Sequence, residues 1–380
     1  MKTPRITALT LTALLAACGT TPPSKPQPLG FSSLDALPTD VPALSNVITV
    51  SGLAPNEEVQ VSLEGDASGG IMMRRSPDEP WSPWFNADAL KSTPLRVRNG
   101  DQLRARITTA DSEGGTRSMR LILGSGPTAK PIPFQTKTLN LADAPRLHVA
   151  AEGGSDQNPG TATKPLATLK HALKQAKSGI TLVLLNGKHV INEPLNITQS
   201  VTLRGEEQEM VRIVYTGSDA AIKAELEEDE SLTLNNLVIE TPFDTANQLT
   251  LKGGSVSVME NTRTVGLSKH NIITATDANL IIRNSSLWTK GIYYINSFGG
   301  LLSNRILSNN NPTNVVLVNS PIAVYQNQGV GGQIPGLLGT VSLSLLASAK
   351  CSQSFKNLDV SFIKQHLPVV EVNDERSKCS

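Results

Sequence analysis

Several side chains between Glu260 and Arg305 have the types that a sugar-recognising surface needs. Arg283 and Arg305 stand 22 positions apart. If the chain coils with a period near that length, the two guanidiniums stack about 5 Å apart on one strand face. Paired guanidiniums can clamp a carboxylate. Glu260 and Arg263 lie nearby in sequence, and Trp288, Tyr293 and Tyr294 would add flat apolar surface for stacking. The same types also occur on solvated strand faces, so the pattern admits a binding site, a reactive site or neither.

Other candidates are thinner. Arg96, Arg98, Arg104 and Arg106 flank an Asn99-Gly100-Asp101 turn. A hairpin with a three-residue loop from Asn99 to Asp101 pairs Val97 with Leu103 and Arg96 with Arg104, placing all four arginines on one exposed face. That face is either merely solvated or a basic patch for an anionic glycan or lipid headgroup. The acidic run Glu225-Leu226-Glu227-Glu228-Asp229-Glu230 could hold Ca²⁺ with its oxygens, but it lacks the alternating ligands and glycine of a defined loop. His148, His171, His189, His270 and His366 are scattered without metal-ligand spacing, and no HExxH, CxxC, phosphate-cradling loop or nucleophile elbow is present. No metal site and no cofactor is implied beyond that weak Ca²⁺ reading.

The elements that must position these residues divide into two kinds. From about residue 46 to residue 138, short period-two runs such as Val59-Gln60-Val61-Ser62-Leu63 and Leu103-Arg104-Ala105-Arg106-Ile107 alternate with Gly and Asn turns. That grammar predicts an all-β sandwich. Val50-Ser51-Gly52, Trp81, Trp84, Asn99-Gly100-Asp101-Gln102-Leu103 and Phe134-Gln135-Thr136-Lys137-Thr138 make it resemble the immunoglobulin-like modules of bacterial surface proteins.

Further on, inward apolar anchors fall at Leu232, Val256, Leu280, Leu302 and Val324, in steps of 24, 24, 22 and 22 residues. A step of 20 joins Val183 to Leu203, and one of 29, holding the acidic run, joins Leu203 to Leu232. Such rungs predict a three-sided β-coil. Asn236, Glu260, Asn284, Ile306 and Gln328 follow the anchors by four positions. This mostly polar column is expected to satisfy buried backbone groups at a turn.

The start of this region is sharper. Leu147-His148-Val149, then Gly154-Ser155-Asp156-Gln157-Asn158-Pro159-Gly160-Thr161, then Lys164-Pro165-Leu166 and a short apolar stripe of Leu166, Leu169, Leu173 and Ala176 resemble the opening of pectin-lyase-like right-handed β-helix domains. Pro165 suits the first helical turn, and a one-faced helix would cover the open end of the coil. The resemblance implies an all-β fold: a sandwich followed by a right-handed parallel β-helix over residues 147–346 with an N-terminal capping helix. Enzymes of this kind cut acidic polysaccharides, by elimination with an Arg or Lys base or by hydrolysis with clustered carboxylates. Arg283 or Arg305 could serve as base or uronate clamp, but the Asp-rich strand motifs of pectate lyases and galacturonases are missing. Non-catalytic recognition of a glycan or partner protein is therefore the expected role, with a polysaccharide lyase or glycoside hydrolase and an envelope assembly scaffold as alternatives.

Residues 1–17 carry Lys2 and Arg5 before an uncharged apolar run, the anatomy of an export signal. Leu15-Ala16-Ala17-Cys18-Gly19 resembles the bacterial lipobox, which implies lipidation of Cys18, a membrane anchor and, with Gly19 following, the outer membrane of a double-membrane bacterium. An ordinary secretory signal is the other reading. Residues 18–45, rich in Pro, Ser and Thr, are expected to be a tether. In an exported chain Cys351 and Cys379 are expected to pair and to staple a cap over residues 347–380, free thiols or an intermolecular bond being the alternative. With 34 basic and 33 acidic side chains, the protein lacks the excess of a nucleic-acid binder.

Overall fold

The computed structural model describes residues 30–207, 210–241, 247–266, 272–308, 312–331, 341–348 and 350–379. The expectations placed on Cys18, on residues 1–29 and on His270 lie outside these residues.

From residue 146 onward the chain winds into a right-handed parallel β-helix of three sheets. Among the described residues the first sheet has eight strands, from Arg146–Val149 and Ile180–Leu184 through Val256–Glu260, Asn279–Arg283 and Phe298–Leu302 to Ala323–Tyr325. The second has seven, from Gly187–Ile191 to Gln328–Gly331, and the third has eight, from Leu195–Ile197 to Val341–Leu346 and Val369–Asp374. Along the first sheet one inward column runs Leu182, Leu203, Leu234, Met259, Ile282, Leu301 and Val324. Each of these side chains is at most 4% exposed, so the coil buries a continuous apolar stack.

The expected anchors are partly displaced. Leu232 pairs with Ser257, and Val256 pairs with Ser231, so Val256 sits one residue out of register. A one-residue slip moves a side chain to the other face of a strand. Val256, Val258 and Ile281 point outward and are buried because the sandwich core lies over them, and Leu302 packs on the same core. The turn column shifts too. Left-handed backbone occurs at Asn236, Asn261, Asn284, Ser303 and Gln326. Asn and Asp tolerate this region better than most residues. Asn236 and Asn284 are as expected, whereas Glu260 ends a strand, Ile306 is buried and Gln328 starts a strand. Buried backbone amides at the neighbouring corner are instead satisfied by a ladder in which Ser285 accepts from the Thr262 amide, Asn304 from that of Ser285, and Asn327 from that of Asn304.

The helix Leu169–Gln175 covers the N-terminal end with Leu169 and Ala172 buried and Leu173 and Ala176 packed beside them. Its N-cap is Thr168, so Pro165 lies before the helix and not in its first turn. At the other end the helices Gln353–Lys356 and Val360–His366 bury Phe355 and Ile363, and a disulfide joins Cys351 to Cys379.

The sandwich begins earlier than expected. Leu34–Leu37 pairs with Lys130–Thr138, and Pro42–Leu44 pairs with Gln102–Thr108, so residues 34–44 are part of the two five-stranded sheets and not of a tether. The hairpin across Asn99–Asp101 does not form: Val97 pairs with Val59 in one sheet, while Leu103 pairs with Ile48 and Met73 in the other. Asp101, 1% exposed, accepts from the Arg98 amide at 3.0 Å and pairs with Arg75 at 2.8 Å. The turn therefore crosses between sheets, a connection that alternation alone cannot distinguish from a hairpin.

Candidate functional site

The residues singled out between Glu260 and Arg305 fall on three different sheets. Arg283 ends a strand of the first sheet, with a side chain 14% exposed, pairs with Glu260 at 2.9 Å and donates to the Thr39 carbonyl at 3.1 Å. It ties the coil to the sandwich. Arg305 lies on the second sheet, exposed, between Ser286 and Gln328 in register. Arg283 and Arg305 therefore do not stack. Trp288 is half-buried on the second sheet and Tyr293 half-buried on the third. Tyr294 is a core side chain whose hydroxyl donates to the Leu280 carbonyl at 3.2 Å, and burial pushes its phenol well above the usual tyrosine range.

The four-arginine patch is divided as well. Arg96 and Arg98 are exposed, but Arg104 and Arg106 lie on the strand Gln102–Thr108, whose other face buries Leu103, Ala105 and Ile107. Alternation along the strand turns both arginines together toward the coil. Register with Gly70–Arg74 sets Arg74 opposite Gln102 on the same face, and the Arg74 Nε donates to the Gln102 side chain at 2.7 Å.

These three arginines line a seam between sandwich and coil. The Arg74 guanidinium lies over the Trp81 ring at 4.5 Å, and that of Arg106 over Trp84 at 4.6 Å. Trp84 meets Phe298, at the start of a first-sheet strand, edge-on at 6.2 Å. On one side of Phe298 is a cleft of about 420 Å³ with Arg74, Trp81 and Arg104 on the sandwich wall and Glu228, Asp277, Asn296 and Asn319 on the coil wall. On the other is a hollow of about 290 Å³ bounded by Trp84, Arg106, Asn279 and Ile322. The tryptophans are thus half-exposed in a Pro-rich loop and not in the sandwich core.

Coil turns supply the polar wall. Asp277, Asn296 and Asn319 all have left-handed backbone, and the Asn319 amide donates to Asn296 at 3.3 Å. Glu228 accepts from the Val47 amide at 2.8 Å, which uses part of the acidic run to bridge the two units. The rest of that run does not gather as a Ca²⁺ loop: Glu225 lies within the strand Ala220–Leu226, and Glu230 accepts from the Glu227 amide at 3.0 Å. Among the described residues, no three His, Cys, Asp or Glu side chains are grouped to hold a metal ion.

Dehydration dominates the electrostatics of the seam. Burial pulls the Arg104 guanidinium below the usual arginine range, opposed by Glu228 and reinforced by Arg74. Arg74 is lowered by burial against the pull of Glu228 and Asp78, and Arg106 by burial alone. Partners offset part of that lost water: the Ser45 carbonyl accepts from Arg104, Gln102 and the Pro77 carbonyl accept from Arg74, and Arg106 lies on the Trp84 ring.

Sequence reasoning missed this seam because its walls come from segments more than a hundred residues apart. One signal was present: two tryptophans within Pro77–Trp84, a loop that also holds three prolines and two acidic residues, are poorly placed for the core.

No family model and no curated protein matches the chain. Among solved structures it is similar to a rhamnogalacturonan lyase, with 14% identity and a TM-score of 0.32 over 54% of this chain and 68% of that one. It is also similar to the PL6 family alginate lyase AlyGC, with 12% identity and a TM-score of 0.28 over 62% of this chain and 38% of that protein. At that distance no residue's role passes from either lyase to this chain.

Proposed function

We propose that this is a lipid-anchored cell-envelope protein that recognises an acidic glycan in the seam between its sandwich and its β-helix, without turning it over. The observation that carries the reading is the set of three dehydrated arginines on one wall, two of them stacked on tryptophans. Guanidiniums match carboxylates and sulfates, and aromatic rings stack on the apolar faces of sugars. The fixed donors argue for binding: Arg104 is held by the Ser45 carbonyl at 2.9 Å, and Arg74 by Gln102 and the Pro77 carbonyl. The anchor part of the reading rests on the lipobox-like Leu15 to Gly19, and Cys18→Ser should release the protein from membranes.

A glycan-array screen of the chain carrying Cys18→Ser tests the binding reading. Retention of acidic glycans that falls at least about ten-fold in Trp81→Ala and in Arg106→Ala is expected. Equal retention by both variants would remove the seam as the site.

A second reading is favoured by Glu228 and Asp277, two carboxylates on the opposite wall of the same cleft. A glycoside hydrolase or polysaccharide lyase would leave new reducing ends or an ultraviolet-absorbing unsaturated product on any polymer that binds, whereas a binder leaves the polymer intact. An envelope scaffold would show a protein partner and no glycan affinity.

A further inference from the structure

The second sheet starts with an edge strand paired on one side. Among the described residues, Gly187–Ile191 is hydrogen-bonded to Val211–Tyr215 only. The Gly187 amide donates to Met210 and the Ile191 carbonyl accepts from Thr216, so residues 187, 189 and 191 turn their backbone groups to that neighbour. Alternation then turns the amides and carbonyls of Lys188 and Val190 the other way. Both residues are exposed, Val190 by 62%. Four backbone groups thus face an open edge, the arrangement that accepts an added strand.

That edge is one wall of a groove of about 680 Å³ whose other wall is the capping helix Leu169–Gln175. Leu173, Ile191 and Pro194 give it apolar lining, and Lys170, Lys174 and Lys188 rim it. Glu193, which pairs with Lys170, is the one carboxylate among the lining residues. The rim is therefore net cationic.

We propose that this groove docks an extended acidic peptide of a partner protein, which adds a strand to Gly187–Ile191 with its carboxylates toward the lysines and its aliphatic side chains on the apolar lining. Main-chain hydrogen bonds to Lys188 and Val190 give the register, and the cationic rim gives the preference for acidic segments. The site is separate from the seam and does not depend on glycan binding.

The test uses the full chain with Cys18→Ser and two blocked heptapeptides, acetyl-EVEVEVE-amide and acetyl-KVKVKVK-amide, titrated by calorimetry. The acidic peptide should bind at least about ten-fold more tightly than the basic one. Val190→Pro removes an amide that the sheet does not use, and should weaken binding about ten-fold or more with the melting temperature preserved. Lys174→Glu with Lys188→Glu changes exposed side chains alone and should weaken it by a similar factor, which keeps the test in hand if the proline variant folds poorly. No saturation by the acidic peptide at millimolar concentration, equal binding of both peptides, or unchanged affinity in a folded Val190→Pro protein would each overturn the proposal.

Discussion

The two ends of the β-helix face the same problem and solve it with different chemistry. Each must cover an apolar stack that would otherwise meet water. At the N-terminal end a seven-residue helix buries Leu169 and Ala172 and is held by one carboxylate: Asp156 accepts from the Ala167 amide, the Thr168 amide and the Thr168 hydroxyl at 3.0, 2.9 and 2.8 Å. At the C-terminal end Phe355, Ile363 and Leu367 cover the stack, and the covering segment is closed by a disulfide over a separation of 28 residues. The difference follows from loop length. Asp156 and Thr168 are 12 residues apart. Polar contacts can close so short a loop, while a longer one built of two short helices and a strand has more entropy to lose. A covalent link removes that entropy from the unfolded chain.

The comparison can be broken at its strongest point first. Phe355→Ala, at a fully buried position, should cost about 3–5 kcal/mol in denaturant unfolding. A loss under about 1 kcal/mol would mean that the C-terminal segment does not cover the core. Replacing Cys351 and Cys379 together by Ser should cost about 3–4 kcal/mol, read as a lower unfolding midpoint that matches the wild-type protein under reductant. Asp156→Ala should cost less, about 1–2 kcal/mol, because its partners lie near the surface and water replaces part of what is lost. Thr168→Ala, which removes the N-cap acceptor for the His171 amide, should cost about 1 kcal/mol and raise amide exchange in the capping helix before any other element.

A titration sharpens the same contrast. Slight dehydration raises the Asp156 carboxyl, but the side-chain and backbone hydrogen bonds from Thr168 and Ala167, with His171 nearby, outweigh it and hold the group below the usual range. A carboxyl depressed in the folded protein stabilises the fold above its unfolded pKa of about 3.9 and loses that contribution as pH falls through the folded value. Acidification below about pH 4 should therefore loosen the N-terminal helix in the wild-type protein and have a smaller effect in Asp156→Asn, measured by site-resolved amide exchange.

Much of this architecture was legible because its cues are local. The run from Gly154 to Thr161 followed by the stripe of Leu166, Leu169, Leu173 and Ala176 announced a capped coil, and the stripe packs on the core as the spacing required. The two late cysteines announced a staple. The register was not legible. Val256 and Leu302 read as inward anchors because they are apolar, yet they point outward and are covered by the sandwich. Where both faces of a strand are buried, hydrophobicity no longer tells one face from the other.

The site was hidden for a related reason. Arg104 and Arg106 alternate with Leu103, Ala105 and Ile107, which determined from sequence alone that they share the face opposite the core. Alternation left open whether that face met water or another part of the chain. Only the docking of the coil brings Phe298, Glu228 and Asn319 across from them and takes their water away. The sequence by itself determined the two kinds of β-structure, the N-terminal cap and the sidedness of strands with one solvent-facing or polar face, because these follow from spacing along the chain. Tertiary structure alone decided the register of the rungs and the place of the seam, because both depend on which surfaces become buried against segments far away in sequence.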